Sequence, residues 1–211
     1  IQETNTGYAG GMNIGIRHAL ERGAEYVVLL NQDTEVDPAW ISQLVMAAES
    51  DPRIGAVQPR VMLGGKNFSP SREEGELEGE GRFGHSGDLV NSIGNHIHVL
   101  GCGFAGGHRE RWSSLRSQLH GYPYPEVTYP SGAAVLYRAS ALRDIAFPRD
   151  GQSGDQFLDE DYFLYHEDLD IGVRLWMRGW RCVLAPQSVV IHHYEFSRSI
   201  TKFFYMERNR F

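Results

Sequence analysis

Tyr26-Val27-Val28-Leu29-Leu30-Asn31-Gln32-Asp33-Thr34 couples an apolar, partly β-branched run to an abrupt polar cluster. Such a run suits a central strand of an open parallel sheet, apolar throughout because both of its faces are covered. Ligands of open α/β sheets gather outside the carboxyl ends of the strands, so Asp33 falls where a metal ion or a phosphate is expected. Taken alone, the same residue also suits an ordinary turn. Asp37 then reads as the cap of the next helix, with Pro38 at its first position and Ile41, Leu44, Val45 and Ala48 on its inward face. Ile54 to Val57 reads as the following strand.

Upstream, Asn5-Thr6-Gly7-Tyr8-Ala9-Gly10-Gly11 reads as a glycine-rich turn that opens a helix running to Arg22. Met12, Ile16, Ala19 and Leu20 fall at helical spacing, and Gly23 suits the stop. With a strand end at Ile1-Gln2-Glu3-Thr4, this predicts a strand, turn, helix, strand unit of a doubly wound sheet. The glycine spacing fits neither the dinucleotide fingerprint nor a P-loop.

The 211 residues are 41% hydrophobic and 22% charged, which suits one domain with one sizeable core. A formal charge of −7 argues against nucleic acid as a partner, since that surface needs a basic face. Cys102 and Cys182 are too few for a disulfide scaffold, which points to a reducing, cytoplasmic compartment. No apolar run approaches the roughly 20 residues that span a bilayer. The opening on a strand end rather than on Met points to a fragment of a longer chain.

Further along, Gly64 to His85 is glycine, serine and carboxylates, and predicts a mobile surface loop. Ile97 to Phe104 predicts a strand interrupted by Gly101 and Gly103, with His96, His98 and His108 in no common zinc spacing, and Arg109 to His120 a loop or short helix. Pro130-Ser131-Gly132 leads into a buried strand, Ala133 to Tyr137, and a helix from Ala139 to Ile145. Phe157 to Asp170 then interleaves Asp159, Glu160, Asp161, Glu167, Asp168 and Asp170 with large apolar side chains. So dense a set of carboxylates is costly unless they cap, pair or act. From Asp168 the pattern turns helical, with Leu169, Val173 and Trp176 as the inward stripe, Asp170 and Arg174 as an i,i+4 pair, and Gly179 as the stop. Two short strands, Cys182 to Leu184 and Val189 to Ile191, end at His192-His193.

Asn5-x-Gly7-Tyr8-x-Gly10-Gly11-x-Asn13-x-Gly15, Asn31-Gln32-Asp33, Ser131-Gly132-Ala133, Asp159-Glu160, Glu167-Asp168-x-Asp170-x-x-x-Arg174, His192 and Tyr205-x-x-Arg208-Asn209 carry a resemblance that spans nearly the whole chain. In this order and spacing the chain resembles the inverting family 2 glycosyltransferases of the GT-A fold, on their rhamnosyltransferase-like branch. The resemblance implies a mostly parallel Rossmann-like sheet flanked by helices, here without the family's first βαβ segment, and a single catalytic domain over residues 1–211. By position it assigns Asn5, Gly7, Asn13, Asn31, Asp33 and Arg208 to a nucleotide-sugar donor. Ser131, Gly132, Asp159, Glu160 and Glu167 fall on the side of a saccharide or polyprenyl-linked acceptor, and Asp168 in the place of the general base. Asp33 and His192 would hold a divalent cation, Mg2+ or Mn2+, and Asn31 stands where many members carry a first Asp. The implied setting is cell wall or polysaccharide synthesis in the cytoplasm at the inner face of the membrane, with peripheral attachment through regions outside this chain.

The residues agree with that chemistry. Displacement at an anomeric carbon needs a neutralised diphosphate leaving group and a base for the acceptor hydroxyl. With the Leu169 stripe packed inward and Asp170 held by Arg174, Asp168 is left as the open carboxylate, and its place at a helix N-terminus favours the charged form. Two alternatives stand beside this reading. One is a nucleotidyltransferase of similar fold, although Gly7 to Gly11 lacks the Lys or Arg it would need; the other is an inactive GT-A-like binding domain.

Overall fold

The structure is a computed structural model that describes residues 4–64, 88–119, 121–148, 155–193 and 203–210. In chain order the helices are α1 (Gly7–Glu21), α2 (Trp40–Glu49), α3 (Trp112–Leu115), α4 (Ala139–Ile145), α5 (Glu167–Met177) and α6 (Phe203–Arg208). The strands are β1 (Tyr26–Leu30), β2 (Thr34–Val36), β3 (Ile54–Leu63), β4 (Val90–Ser92), β5 (Asn95–Ile97), β6 (Gly103–Ala105), β7 (Glu126–Val127), β8 (Ala134–Arg138), β9 (Phe147–Pro148), β10 (Asp155–Gln156) and β11 (Arg181–His192). The strand end expected at the start of the chain and the loop expected from Gly64 to His85 lie outside the described residues, apart from Thr4 and Gly64 themselves.

Successive side chains of a strand point to opposite faces, and β1 uses both. Val27 and Leu29 join Ile16 of α1, Leu142 and Ile145 of α4, and Ile171 and Leu175 of α5 in one core. Tyr26, Val28 and Leu30 turn the other way, onto a core built from Trp40, Leu44 and Ala47 of α2 with Leu136, Val183 and Val190 of the sheet. The sheet is the middle layer of a mixed α/β fold, flanked by helices as the sequence predicts.

The strand order is β1-β8-β3-β11-β2, with β4 beside β3 and β7 beside β11. Among the described residues β3 and β11 pair in parallel and every other pair in this sheet is antiparallel, so the expectation of a mostly parallel sheet is corrected to a mixed one. The reason is β8, which runs against its neighbours β1 and β3. An apolar run covered on both faces looks the same whichever way it points, so its composition carries no direction. This reversal positions the site. It sets the start of β8 against the end of β1, Ala134 opposite Leu30, and the Asn31 N–H donates to the Ala133 carbonyl at 2.9 Å. On the far side β2 pairs with the end of β11, Thr34 opposite His192, and the His193 N–H donates to the Asp33 carbonyl at 2.8 Å.

Four elements differ locally from the sequence reading. Gly7, Gly10 and Gly11 form the first turns of α1 rather than a turn before it. Gly7 sits at φ 72°, and a Cβ there would lie 2.3 Å from the Phe163 carbonyl oxygen, which instead accepts from the Tyr8 N–H at 2.7 Å. In α2 the buried face is Trp40, Leu44, Ala47 and Ala48, with Ile41 exposed, because burying the indole removes more apolar area from water. The helix begins at Trp40 rather than Pro38, with Ala39 at the cap position, and the Asp37 carboxylate accepts from the Ala39 N–H at 2.8 Å in the turn before it. The two last strands are one, β11, with a register shift between Ala185 and Val189 where Pro186 offers no N–H and the Ser188 hydroxyl donates to the Trp40 carbonyl at 2.9 Å. In α5 the inward stripe is Glu167, Ile171, Gly172 and Leu175, and Trp176 is 73% exposed. Gly172 decides this: a Cβ there would be 2.2 Å from the Tyr129 Cβ, so the bare face of the helix lies against the Tyr129 segment between β7 and β8.

Candidate active site

The turn after β1, the loop before β8, the first turn of α5 and the end of β11 meet around a cavity of about 740 Å³. That volume suits a small-molecule ligand. Its lining includes Asn5, Gly7, Asn31, Asp33, Ser131, Gly132, Glu167, Asp168 and His192, so most residues singled out in the sequence come together here. Asn13, Asp159, Glu160 and Arg208 do not line it. Asn13 is fully buried and braces the neighbouring segment instead: its Nδ2 donates to the Leu158 carbonyl at 2.7 Å and to Glu160 Oε1 at 3.0 Å, while its Oδ1 accepts from the N–H groups of Phe157 and Leu158. Asp159 accepts from the Asp161 N–H, and Arg208 donates to the carbonyls of Asp161 and Tyr162.

At one part of the cleft His192 Nε2 lies 3.3 Å from Asp33 Oδ1, and its Nδ1 is 3.1 Å from Asn91 Oδ1. Burial lowers the His192 pKa against the opposing pull of Asp33, so the ring is neutral at pH 7. With a divalent cation bound, an Nδ1–H donated to Asn91 would leave the Nε2 lone pair to the metal beside Asp33. One carboxylate and one neutral imidazole fit Mg2+ or Mn2+ when phosphate oxygens and water complete the shell. No third His, Cys, Asp or Glu joins them among the described residues.

At the start of α5, the Gly132 N–H donates to Asp168 Oδ2 at 3.1 Å and the Leu169 N–H donates to Oδ1 at 2.9 Å. Burial raises the Asp168 pKa, and these two backbone donors work against that rise. Glu167, 5% exposed, is pushed up to about 8, first by burial and then by the Asp168 charge. The helix N-terminus therefore does not by itself settle the charge of Asp168, as the sequence reading has it. Burial thus raises both carboxyls, and the two N–H bonds favour the charged form on Asp168 over Glu167.

Three positions that the sequence reading leaves without a role shape the cleft. The Tyr8 hydroxyl donates to the Gly132 carbonyl at 2.6 Å. Gln58, fully buried in β3, accepts from the Ser131 N–H at 2.6 Å while its Nε2 donates to the Ser92 hydroxyl at 3.0 Å, tying the loop before β8 to the sheet. Asn91 orients His192. A lone Gln inside the apolar run of β3 is the signal that could have found the second of these.

A sheet layered between helices thus places a carboxylate–imidazole pair and a carboxyl pair in one cleft at a strand end, where ligands of open α/β sheets bind. The chain belongs to glycosyl transferase family 2, whose model matches residues 1–145; that of the glycosyl transferase family group 2 matches residues 107–210. It is 29% identical over 199 residues to the N-acetylglucosaminyl-diphospho-decaprenol L-rhamnosyltransferase of Mycobacterium tuberculosis, covering 90% of this chain and 56% of the relative. With the O-antigen biosynthesis protein RfbC of Myxococcus xanthus it shares 27% over 190 residues, 85% of this chain and 12% of the relative. The chain thus spans about half the length of the first and a small part of the second. Its fold is similar to that of GalNAc-T7 crystallised with UDP, GalNAc and Mn2+, with a TM-score of 0.59 at 14% identity over 92% of this chain and 32% of that one. Family membership, the rhamnosyltransferase-like branch and the GT-A fold agree with the resemblance read from the motifs.

Proposed function

We propose that this chain is the catalytic domain of an inverting, metal-assisted glycosyltransferase that moves a sugar from a nucleotide diphosphate to a hydroxyl of a saccharide carried on a polyprenyl diphosphate. The observation that carries this reading is that Asp33, His192, Glu167 and Asp168 share one cleft. The decaprenol-linked rhamnosyltransferase supports the acceptor class, and work at the cytoplasmic face of a membrane is proposed with it. Among the described residues no helix is long and apolar enough to cross one.

In this reading Asn5, Asn31 and Asp33 face the donor, and Asp33 with His192 holds the cation. A divalent ion there supplies the Lewis acidity that neutralises the departing diphosphate. The Asp168 carboxylate takes the proton of the acceptor hydroxyl as its oxygen bonds to the anomeric carbon and the carbon–phosphate oxygen bond breaks on the opposite face, which inverts the centre. General-base assistance of this kind is worth about 10²–10⁴ in rate.

Calorimetric titration of nucleotide sugars into the full chain, with and without Mn2+, tests the donor half. The expected result is Mn2+-dependent binding that Asp33→Asn weakens by about tenfold or more, the loss of one charge-assisted ligand. Binding of equal strength without metal, or unaltered in Asp33→Asn, overturns the metal assignment.

A further inference from the structure

We propose that Asn209 is a positioning residue: from the end of α6 its side-chain amide clamps residues 162–165 in the backbone path that sets the first turn of α5, and Asp168 with it, at the cleft. The proposal rests on the glycosyltransferase reading and adds to it a residue that does not line the cavity.

Four non-glycine residues of the described chain have positive φ, and three of them fall together: Phe163 at 61°, Tyr165 at 69° and His166 at 72°. Residues with a side chain rarely adopt that conformation, and it persists only where the surroundings over-determine it. The segment joins the two walls of the cleft. At its start the Phe163 carbonyl accepts from the Tyr8 N–H at 2.7 Å, beside the Asn5 and Gly7 lining. At its end His166 is the N-cap of α5, with no side-chain cap bond of its own, and Asp168 follows two residues on. Leu164, Tyr165 and His166 line the cleft in between.

The contacts that fix this path come from α6. Asn209 Nδ2 reaches three carbonyls of the segment, Tyr162 at 2.9 Å, Leu164 at 2.9 Å and Tyr165 at 2.8 Å. Among the described residues no other donor meets the carbonyls of Leu164 and Tyr165. Arg208 orients the amide by donating from Nε to Asn209 Oδ1 at 2.8 Å, and its guanidinium donates to the carbonyls of Asp161 and Tyr162. The Tyr205 ring stacks on that of Phe163 with centroids 4.9 Å apart. No residue of α6 is buried, so its contacts hold this segment rather than fill a core. One amide that meets three carbonyls of a left-handed run braces a single backbone path, and that path decides where α5 begins.

Two readouts on the full-length protein test the clamp in Asn209→Asp and Asn209→Gln. The first variant keeps the shape but loses the N–H donors and sets a carboxylate against the carbonyls; the second keeps the donors on a longer stem. By hydrogen exchange, Asn209→Asp is expected to speed exchange by about tenfold or more in peptides covering residues 162–170, with β3 and β8 unchanged. In kinetics with both substrates saturating, it is expected to lower kcat by about tenfold to a hundredfold, the scale of a misplacement of about 1 Å. The Mn2+-dependent donor Kd is expected to stay within about threefold, because the Tyr8 bond on the donor side does not involve Asn209. Asn209→Gln should lie nearer wild type than Asn209→Asp in both readouts. Unchanged exchange at residues 162–170, or a wild-type kcat, in Asn209→Asp overturns the proposal while leaving the transferase reading intact. Faster exchange throughout the sheet also overturns it, since Asn209 would then support the fold as a whole. Absence of donor-dependent turnover in wild type overturns both.

Discussion

Glu167 and Asp168 stand side by side in the chain, yet their surroundings pull them apart. Two backbone N–H groups meet Asp168, whereas one oxygen of Glu167 meets none. Because the folded state raises the Glu167 pKa from 4.5 to about 8, the folded chain binds this proton more tightly than the unfolded one. Stability is then full below the unfolded value and declines as pH rises toward about 8. Melting temperatures of wild type and Glu167→Gln across this interval should show the wild type falling with pH and the variant falling less. Parallel curves would mean that Glu167 is ionised in the folded chain. The sequence makes Asp33, Asp168 and His192 legible because each ends an apolar run or opens a helix. It does not make Tyr8, Gln58 and Asn91 legible as site residues, because their roles are hydrogen bonds between elements far apart in the chain. It also carries Asn13, Glu160 and Arg208 to the cleft by position, whereas their side chains are spent bracing residues 157–162.

Among the elements, α5 shows how an amphipathic pattern misleads. Leu169, Val173 and Trp176 recur at helical spacing as well as Ile171 and Leu175 do, and periodicity alone cannot choose between two stripes. Gly172 chooses, because only a residue without a side chain lets the helix backbone reach Tyr129. Gly172→Leu should therefore force α5 away from the Tyr129 segment and destabilise the fold by about 1–3 kcal/mol, the usual scale of overpacking. Denaturant unfolding checks this, and a change below about 0.5 kcal/mol, typical of a surface substitution, would show that the close approach is not required. In α2 the helix itself is read correctly, whereas β11 is one strand where the sequence reads as two. There the inward face of the helix and the continuity of the strand turn on Trp40 and on the Pro186–Ser188 bulge, both settled by tertiary packing.

At the scale of the molecule, the layered α/β architecture follows from the apolar runs at β1, β3, β8 and β11, but strand direction does not. The antiparallel β8 is what brings Ser131 and Gly132 to the same edge as Asn31 and Asp33, and the pairing of β2 with β11 is what brings His192 to Asp33. Motifs more than a hundred residues apart thus meet because of register, which no local pattern encodes. In the proposed mechanism this convergence divides the labour, with Asp33 and His192 serving the donor and Asp168 serving the acceptor. The most direct test is paired measurement, on the full-length Asp168→Asn variant, of sugar transfer and of Mn2+-dependent donor affinity. Transfer should fall by about 10²–10⁴ while the donor Kd stays within about threefold of wild type, since the amide keeps the shape and loses the base. Near-normal transfer by Asp168→Asn would contradict the account.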